Sequence, residues 1–197
     1  LGKTEAGLML AAKHLAANFA ENITIALPTM VTANAIFERE TTKSFVRQLF
    51  GKDYLMALIH STKEFIDEYN IVRSQNLQEE ASSELKDWFR SSDVRLMLKP
   101  FTVCTIDQIL SGASDDNRGY LRTFACHKSV VLIDEVHDCN PYMTGLLQVI
   151  LQTQKEAGGS VILLTATLST ERKKELLSAW MGEPVLQLPY QATYPSI

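Results

Sequence analysis

The chain has 197 residues, 46% of them hydrophobic and 21% charged, as expected for one sizeable globular domain with its own core. Its formal net charge of -4 gives no global sign of nucleic-acid binding, so any such contact must be local. No apolar run approaches the ~20 residues of a membrane span, and there is no signal-peptide pattern. Three cysteines without a C-x-x-C spacing favour a reducing compartment over a disulfide framework.

The first motif is Gly2-Lys3-Thr4, the tail of a G-x-x-x-x-G-K-[ST] phosphate-binding loop. The first four residues of that loop are missing, and we interpret the chain as a piece of a longer polypeptide. A helix is predicted directly after the motif, because apolar residues recur at helical spacing at Leu8, Ala12, Leu15 and Phe19. A helix N-terminus favours a phosphate. Lys3 is therefore expected to reach the β- and γ-phosphates and Thr4 to coordinate Mg²⁺, although the motif alone leaves a simple helix start open.

The next predicted element is a buried strand over Ile23–Leu27 that Pro28 ends. Thr29 follows where the loop becomes a helix, and Thr32 lies three residues further on. A small hydroxyl at the carboxyl end of a strand can donate to a ligand or to a nucleic-acid phosphate. From these residues alone, a simple helix cap by Thr29 or Thr32 is the preferred interpretation.

The middle of the chain is less informative. The patterns predict a short strand over Leu55–Ile59, an amphipathic helix over Gln75–Phe89 and a further strand over Phe101–Cys104. Thr105 begins a short helix, where it can cap that helix or touch a phosphate. The polar, glycine-containing segment Ser111–Tyr120 predicts an exposed, mobile loop.

The most informative segment is Val130-Val131-Leu132-Ile133 followed by Asp134-Glu135-Val136-His137. Four consecutive apolar residues favour a strand that is buried on both faces of a parallel sheet. The first carboxylate after such a strand, Asp134, can hold Mg²⁺ beside the phosphates of a nucleotide. Glu135 can orient and deprotonate an attacking water. An acidic residue that ends a strand is common, so this segment alone does not decide the function.

The last third of the chain continues the alternation of strands and helices. The predicted elements are a helix over Asn140–Glu156, a strand over Ser160–Leu164, a helix over Thr170–Met181, a short strand over Val185–Leu188 and a linker over Tyr190–Ile197. The alternation predicts an α/β fold with a mostly parallel sheet and helices on both faces. Polar residues gather after the strands, where such sheets bind ligands.

Gly2-Lys3-Thr4, Asp134-Glu135-Val136-His137 and Thr165-Ala166-Thr167 stand in the order of a RecA-like P-loop NTPase motor domain. Joined to Leu27-Pro28-Thr29 and Thr105-Ile106-Asp107, they resemble the superfamily 2 helicases of the DExH type. The resemblance extends to the CRISPR-associated helicase–nucleases of type I systems. The segments that carry it are Ala26–Thr29, Thr32–Ala35, Val103–Gln108, Asp134–His137, Tyr142-Met143, Gly145–Leu147, Gly158–Leu164 and Tyr194-Pro195.

The resemblance implies an ATP-dependent DNA helicase or translocase that unwinds and degrades invading DNA in antiviral defence. Residues 1–189 would form the first RecA-like domain, and residues 190–197 a linker toward a second RecA-like domain with an arginine finger. An HD nuclease domain of the same system would cut the DNA with metals of its own, outside this chain. The expected partners are single-stranded DNA and an RNA-guided surveillance complex in a prokaryotic cytoplasm, with no membrane.

The resemblance also implies roles for the residues of the nucleotide site. Gly2, Lys3 and Thr4 would bind the phosphates of ATP. Thr4 and Asp134 would hold the magnesium ion, and Glu135 would activate water.

The remaining motif residues would connect that site to the DNA. His137, a further catalytic residue of the family, would act with Thr165 and Thr167 to link the nucleotide to the strand-binding face. Thr29 and Thr105 would contact the backbone of the DNA strand.

Two alternatives to this function stay open, another superfamily 2 DNA or RNA helicase and a nucleotide-switch ATPase that does not translocate. A P-loop kinase is disfavoured, because Glu135, His137 and Thr165-Ala166-Thr167 would have no role in it. His137-Asp138 has the sequence of a metal phosphohydrolase pair, but it belongs to the strand-end motif.

A zinc site is also disfavoured. Cys126 and His127 stand before the strand, and His137 and Cys139 stand after it. At ~3.3 Å per residue that strand separates the two pairs by roughly 25–30 Å. One ion with ligand bonds of ~2.0–2.3 Å cannot join them.

Overall fold

The computed structural model describes residues 2–51, 55–60, 93–113 and 117–188. Five parallel strands form one sheet in the order β2-β3-β1-β4-β5. The strands are β1 (Asn22–Leu27), β2 (Met56–Ile59), β3 (Phe101–Thr105), β4 (Ser129–Ile133) and β5 (Ser160–Leu163). The α-helices of the described ranges are α1 (Lys3–Ala16), α2 (Met30–Glu38), α3 (Glu40–Phe50), α4 (Asp93–Leu96), α5 (Ile106–Leu110), α6 (Asn117–Ala125), α7 (Pro141–Glu156) and α8 (Thr170–Met181).

Each central strand is buried on both faces, because alternate side chains enter two different cores. In β4, Val130 and Leu132 pack with α1, α2 and α3. Val131 and Ile133 pack on the opposite face with α4 to α8. The predicted α/β fold, with a parallel sheet and helices on both faces, is confirmed. No helix among the residues described has the length and apolarity to cross a membrane.

Helix α1 lies unusually close to β4 at Gly7. A Cβ atom built on Gly7 would be 2.7 Å from Leu132 Cδ1 and 3.1 Å from Leu164 Cδ1. A residue without a side chain is therefore what lets the helix backbone rest directly on these two leucines. The contact fixes the N-terminus of α1 beside the segment that follows β4.

The predicted loop over Ser111–Tyr120 is wrong in part. Ser111–Ala113 forms a 3₁₀ turn, and α6 begins at Asn117. The Thr123 hydroxyl of α6 donates to the Gly112 carbonyl oxygen at 2.8 Å, so the polar segment is packed against the helix that follows it. Composition indicated a loop because α6 begins with asparagine and contains Gly119, and both residue types are poor helix formers.

Two other expectations differ from the structure at the edges of elements. Val185–Leu188 forms no strand: the Val185 amide donates to the Ser178 hydroxyl at 2.9 Å, and Leu186 is 81% exposed. Phe19 lies beyond the end of α1, is 65% exposed and contacts the His14 ring edge-on. The helix predicted over Gln75–Phe89 and the linker predicted over Tyr190–Ile197 lie outside the described residues.

The close approach at Gly7 gives a stability prediction for the complete protein. Gly7→Ala should destabilise the domain by ~1–3 kcal/mol, because the new methyl group overpacks a buried contact. The measurement is the thermal or denaturant unfolding of the transition that includes this domain.

Gly145 in α7 is the matched control, since a Cβ atom there meets nothing within 4 Å. Gly145→Ala should leave stability unchanged or raise it by ~0.5–1 kcal/mol through helix propensity and a more restricted unfolded chain. Equal effects of the two substitutions would contradict the close packing of α1 on β4.

Candidate nucleotide site

The N-terminus of α1 forms one wall of the candidate site. Gly2 has φ 91° and ψ 4°, a left-handed conformation that glycine adopts without steric cost. Its carbonyl oxygen accepts the Ala6 amide at 2.9 Å, which begins the helix. Lys3 and Thr4 occupy the first turn, where free backbone N–H groups and the helix dipole favour an anion.

Asp134 lies directly opposite Thr4. Its amide donates to the Ala26 carbonyl oxygen at 2.9 Å, so the backbone pairing of β4 with β1 continues as far as Asp134. Oδ1 accepts the Glu135 amide at 2.9 Å, and Oδ2 accepts the Thr4 hydroxyl at 3.2 Å. With 8% exposure and both oxygens engaged, the side chain has a fixed orientation.

Glu135 adopts a left-handed backbone conformation, with φ 52° and ψ 47°. A non-glycine residue there costs about 1–2 kcal/mol, and strain of this kind concentrates at functional sites. The conformation turns the chain sharply after β4 and directs the glutamate toward α1. Glu135 Oε1 accepts the Lys3 ammonium at 3.0 Å. Oε2 is buried and makes no hydrogen bond within the described part of the chain.

His137 connects this turn to the end of β5. Its Nδ1 lies 3.2 Å from the Thr165 hydroxyl oxygen and also 3.2 Å from Glu135 Oε2, an ion-pair distance without hydrogen-bond geometry. The Thr165 hydroxyl donates its single proton to the Thr167 carbonyl oxygen at 3.0 Å. We therefore assign Nδ1 as the donor to Thr165, because a hydroxyl that has donated its proton can only accept.

Thr29 caps α2, as expected from its position. It forms a reciprocal capping box with Thr32: the Thr29 hydroxyl oxygen accepts the Thr32 amide at 3.2 Å, and the Thr32 hydroxyl oxygen accepts the Thr29 amide at 3.3 Å. The Thr32 hydroxyl donates to the Thr29 carbonyl oxygen at 2.8 Å. The two hydroxyl oxygens also lie 3.0 Å apart, and because the Thr32 proton goes to the Thr29 carbonyl oxygen, the exposed Thr29 hydroxyl is the donor in that contact.

Thr105 lies on the same edge of the sheet but in a different environment. Leu27, two residues before Thr29, is the register partner of Thr105 in the β1–β3 pair. Thr105 precedes α5 as its N-cap residue, yet its side chain makes no cap hydrogen bond. It is 3% exposed, and its hydroxyl has no hydrogen-bond partner among the residues that the structure describes.

The sequence and the fold both match known proteins, although no family model matches the chain. It is 36% identical to the CRISPR-associated endonuclease/helicase Cas3 of Escherichia coli over 183 residues, 91% of this chain and 20% of that protein. It is also 36% identical to the Thermus thermophilus protein of the same name over 194 residues, 94% of this chain and 20% of that protein. The crystal structure of T. fusca Cas3-ATP matches with a TM-score of 0.74 at 26% identity, over 98% of this chain and 22% of that chain.

The chain is a homologue of the Cas3 nuclease/helicases. The resemblance seen in the sequence is thereby confirmed, and so is the helicase-domain fold with its parallel sheet. The matched segment is similar to part of the Cas3 nuclease/helicases and spans about a fifth of the length of the curated Cas3 proteins it matches.

The candidate site has the chemistry that a magnesium nucleotide needs. The Thr4 hydroxyl and the Asp134 carboxylate are hard oxygen ligands, and their 3.2 Å separation is short enough for both to serve one small cation. Magnesium is usually bound by one or two carboxylates together with substrate phosphates and water. No group of three or more His, Cys, Asp or Glu side chains in the described ranges could hold a metal by itself.

The three cysteines do not form a metal site. All three are buried and free. Burial raises the pKa of Cys126 to about 12, raises the pKa of Cys104 well above its usual value and raises that of Cys139, where the Arg172 guanidinium acts in the opposite direction. At neutral pH these thiols are protonated, whereas a metal needs the thiolate.

Sequence reasoning missed Arg172, which reaches the turn after Glu135 from α8. Its Nη2 donates to the Cys139 carbonyl oxygen at 2.6 Å and to the Thr144 hydroxyl. In the sequence Arg172 is one of three consecutive basic residues with Lys173 and Lys174. Nothing in that pattern distinguishes the inward-facing residue from its neighbours.

The buried thiols give a prediction about reactivity. In the native complete protein at pH 8, iodoacetamide should leave Cys104 and Cys126 unlabelled, because the thiolate is scarce below the raised pKa and the sulfur atoms are inaccessible. Peptide mass spectrometry after brief alkylation measures this, with labelling in guanidinium as the control. Rapid native labelling of either cysteine would contradict the described packing of β3 and α6.

Proposed function

We propose that the chain is the ATP-hydrolysing part of a motor that translocates on single-stranded DNA. The observation that carries the proposal is the meeting of the two halves of the site, Lys3 with Glu135 at 3.0 Å and Thr4 with Asp134 at 3.2 Å. These residues are 132 and 130 positions apart in the chain, so the fold brings together the cation, hydroxyl and carboxylates that phosphoryl transfer from ATP requires.

Each residue of the site has a distinct role in the proposed reaction. Lys3 binds the β- and γ-phosphates, while Thr4 and Asp134 hold Mg²⁺, which neutralises phosphate charge. Glu135 orients water and accepts its proton. Because the Lys3 ammonium and Glu135 are paired in this structure, Lys3 must exchange the carboxylate for phosphate before Glu135 can serve as a base.

The connection to the DNA strand uses the edge of the sheet next to this site. His137 Nδ1 lies 3.2 Å from both Glu135 Oε2 and the Thr165 hydroxyl oxygen. A change in the position of Glu135 can therefore reach Thr165 through the imidazole. The exposed Thr29 hydroxyl donates to Thr32 Oγ1 in this structure, and a backbone phosphate would take the place of that acceptor. Thr105 stands on the neighbouring strand of the same edge, but its hydroxyl is buried in this structure, so Thr29 carries the proposed contact to the backbone phosphate.

The wider setting of the motor is part of the proposal. Residues 1–189 form the first RecA-like domain, and residues 190–197 lead toward a second one. The CRISPR-associated endonuclease/helicase names of the relatives support a nuclease domain in the same system. Recruitment by an RNA-guided surveillance complex is a further part of the proposal. A nucleotide switch would bind ATP without strand-stimulated turnover, so the ATPase assay below distinguishes it from a motor.

The first functional prediction concerns hydrolysis by the complete protein. Lys3→Ala should weaken ATP binding and abolish turnover. Glu135→Gln should keep ATP bound yet slow strand-stimulated hydrolysis by ~10²-fold or more, the loss expected for a general base. The measurements are nucleotide titration and steady-state phosphate release.

Lys13→Ala is the matched control, because Lys13 is an exposed lysine in the last turn of the same helix. It should leave binding and turnover unchanged. Near-normal turnover by Glu135→Gln would remove Glu135 from the mechanism, and an absence of strand-stimulated turnover in the unaltered protein would remove the motor.

The second functional prediction concerns the DNA strand. Contacts to the backbone carry no sequence information, so mixed-sequence, poly-T and poly-A strands should bind with similar affinity that falls as salt rises. Thr29→Ala should cost ~1 kcal/mol of strand affinity, the size of one hydrogen bond, and Thr105→Ala should cost less, because the Thr105 hydroxyl is buried. Equilibrium binding at two salt concentrations measures both effects.

Thr29→Asp gives the sharper result, because aspartate caps a helix as well as threonine does but repels a phosphate. It should keep the domain folded and weaken strand binding more than Thr29→Ala. Thr153 in α7, whose hydroxyl donates to the Val149 carbonyl oxygen, supplies the control Thr153→Asp. A hundredfold preference among the three strands, or equal losses at Thr29 and Thr153, would refute backbone binding at this edge.

A further inference from the structure

The turn that follows Glu135 is held at three points along its length. At its start the Val136 amide donates to the Leu164 carbonyl oxygen at 3.1 Å. In its middle His137 meets Thr165 at 3.2 Å. At its end the Cys139 carbonyl oxygen accepts from Arg172 at 2.6 Å.

All three partners belong to one short segment, residues 164–172, which runs from the end of β5 into the first turn of α8. The turn and this segment are therefore joined by three contacts, which together we call the clamp. Two of the contacts lie at the ends of the turn, and the His137–Thr165 contact lies between them. A shift at either end would move the imidazole relative to Thr165 and Glu135.

Arg172 is chemically suited to hold the end of the turn. A guanidinium presents several N–H donors in a rigid plane and keeps its charge when partly buried. Nη2 serves both the Cys139 carbonyl oxygen and the Thr144 hydroxyl, and Thr144 in turn donates to the Asn140 carbonyl oxygen at 2.9 Å. The last residue of the turn and the cap of α7 are thus tied to α8 by one side chain.

Two other polar contacts join α7 to α8 without involving the turn. Gln148 donates to Glu175 at 2.7 Å, and Lys155 donates to the Met181 carbonyl oxygen at 2.8 Å. Both contacts hold the helices together further along, between α7 and α8 themselves. They offer a way to weaken the docking of α8 while leaving the clamp on the turn intact.

We infer that Arg172 is a positioning residue for ATP hydrolysis: by holding the Cys139 end of the turn, it keeps His137 between Glu135 and Thr165. The inference rests on the proposed function and adds a residue to it. Arg172 touches neither nucleotide nor DNA in this account. Its loss should therefore lower strand-stimulated kcat and leave the affinity for nucleotide unchanged.

The test uses Arg172→Gln and Arg172→Lys in the complete protein, with Glu175→Ala as the matched control. Arg172→Gln should reduce strand-stimulated kcat by ~10-fold or more, since a misplacement of about 1 Å can cost ~10²-fold, while the Kd for an ATP analogue stays within ~2-fold. Arg172→Lys should recover part of the rate, because one ammonium donor can still reach the carbonyl oxygen. Glu175→Ala should keep the full rate.

A double-mutant cycle with His137→Ala separates positioning from general stability. If Arg172 acts through His137, then Arg172→Gln should reduce kcat by less than ~2-fold when His137 is already alanine. Independent losses that multiply would overturn the inference, as would equal losses from Arg172→Gln and Glu175→Ala. If Arg172→Gln does not fold, Arg172→Lys takes its place in the cycle with the same criterion. An unaltered protein without strand-stimulated turnover would refute the proposed function itself.

Discussion

The close contact of α1 with β4 is the constraint on which the site depends. Lys3 and Thr4 belong to the helix, whereas Asp134 and Glu135 belong to the end of the strand. Their side chains meet because the helix backbone rests on Leu132 at Gly7, one turn beyond Thr4. A bulkier residue at this position would lift the helix and lengthen both polar contacts. Lys3 and Thr4 are thus placed opposite the two carboxylates by an apolar contact in which neither takes part.

The second constraint is the backbone at Glu135. A strand that continued straight would carry the glutamate away from α1, and its left-handed conformation prevents this at a local energetic cost. Neighbouring interactions compensate for that cost: the Asp134 carboxylate accepts the Glu135 amide, and the buried Val136 bonds the Leu164 carbonyl oxygen. The same strained residue therefore presents the carboxylate and starts the turn that carries His137.

Most of the sheet could be predicted from sequence, because a strand buried on both faces must be apolar throughout. Val130 to Ile133 illustrates this. The strand after α7 was predicted from a similar apolar run, although it lies at the edge of the sheet and only its Ile162 is buried. Composition failed where local contacts decide the structure, as in α6, whose start contains asparagine and glycine, and at Val185, whose amide bonds the Ser178 hydroxyl and no strand neighbour.

In the candidate site, too, some residues could be predicted from the sequence pattern and others depend on local packing. Gly2-Lys3-Thr4 and Asp134-Glu135 were recognisable because their spacing relative to a helix start and a strand end is itself the chemical requirement. The buried state of Thr105 and the inward direction of Arg172 could not be predicted, since each depends on which side of a short helix faces a neighbour. Sequence indicates which residue types stand at an edge of the sheet, and packing decides which of them are accessible there.

Counting protons fixes the direction of the contact between His137 and Thr165. Thr165 has one hydroxyl proton and gives it to the Thr167 carbonyl oxygen, so it can only accept from His137. The same imidazole nitrogen, Nδ1, lies 3.2 Å from Glu135 Oε2. One ring atom therefore stands between the segment after β5 and the residue that begins the turn after β4.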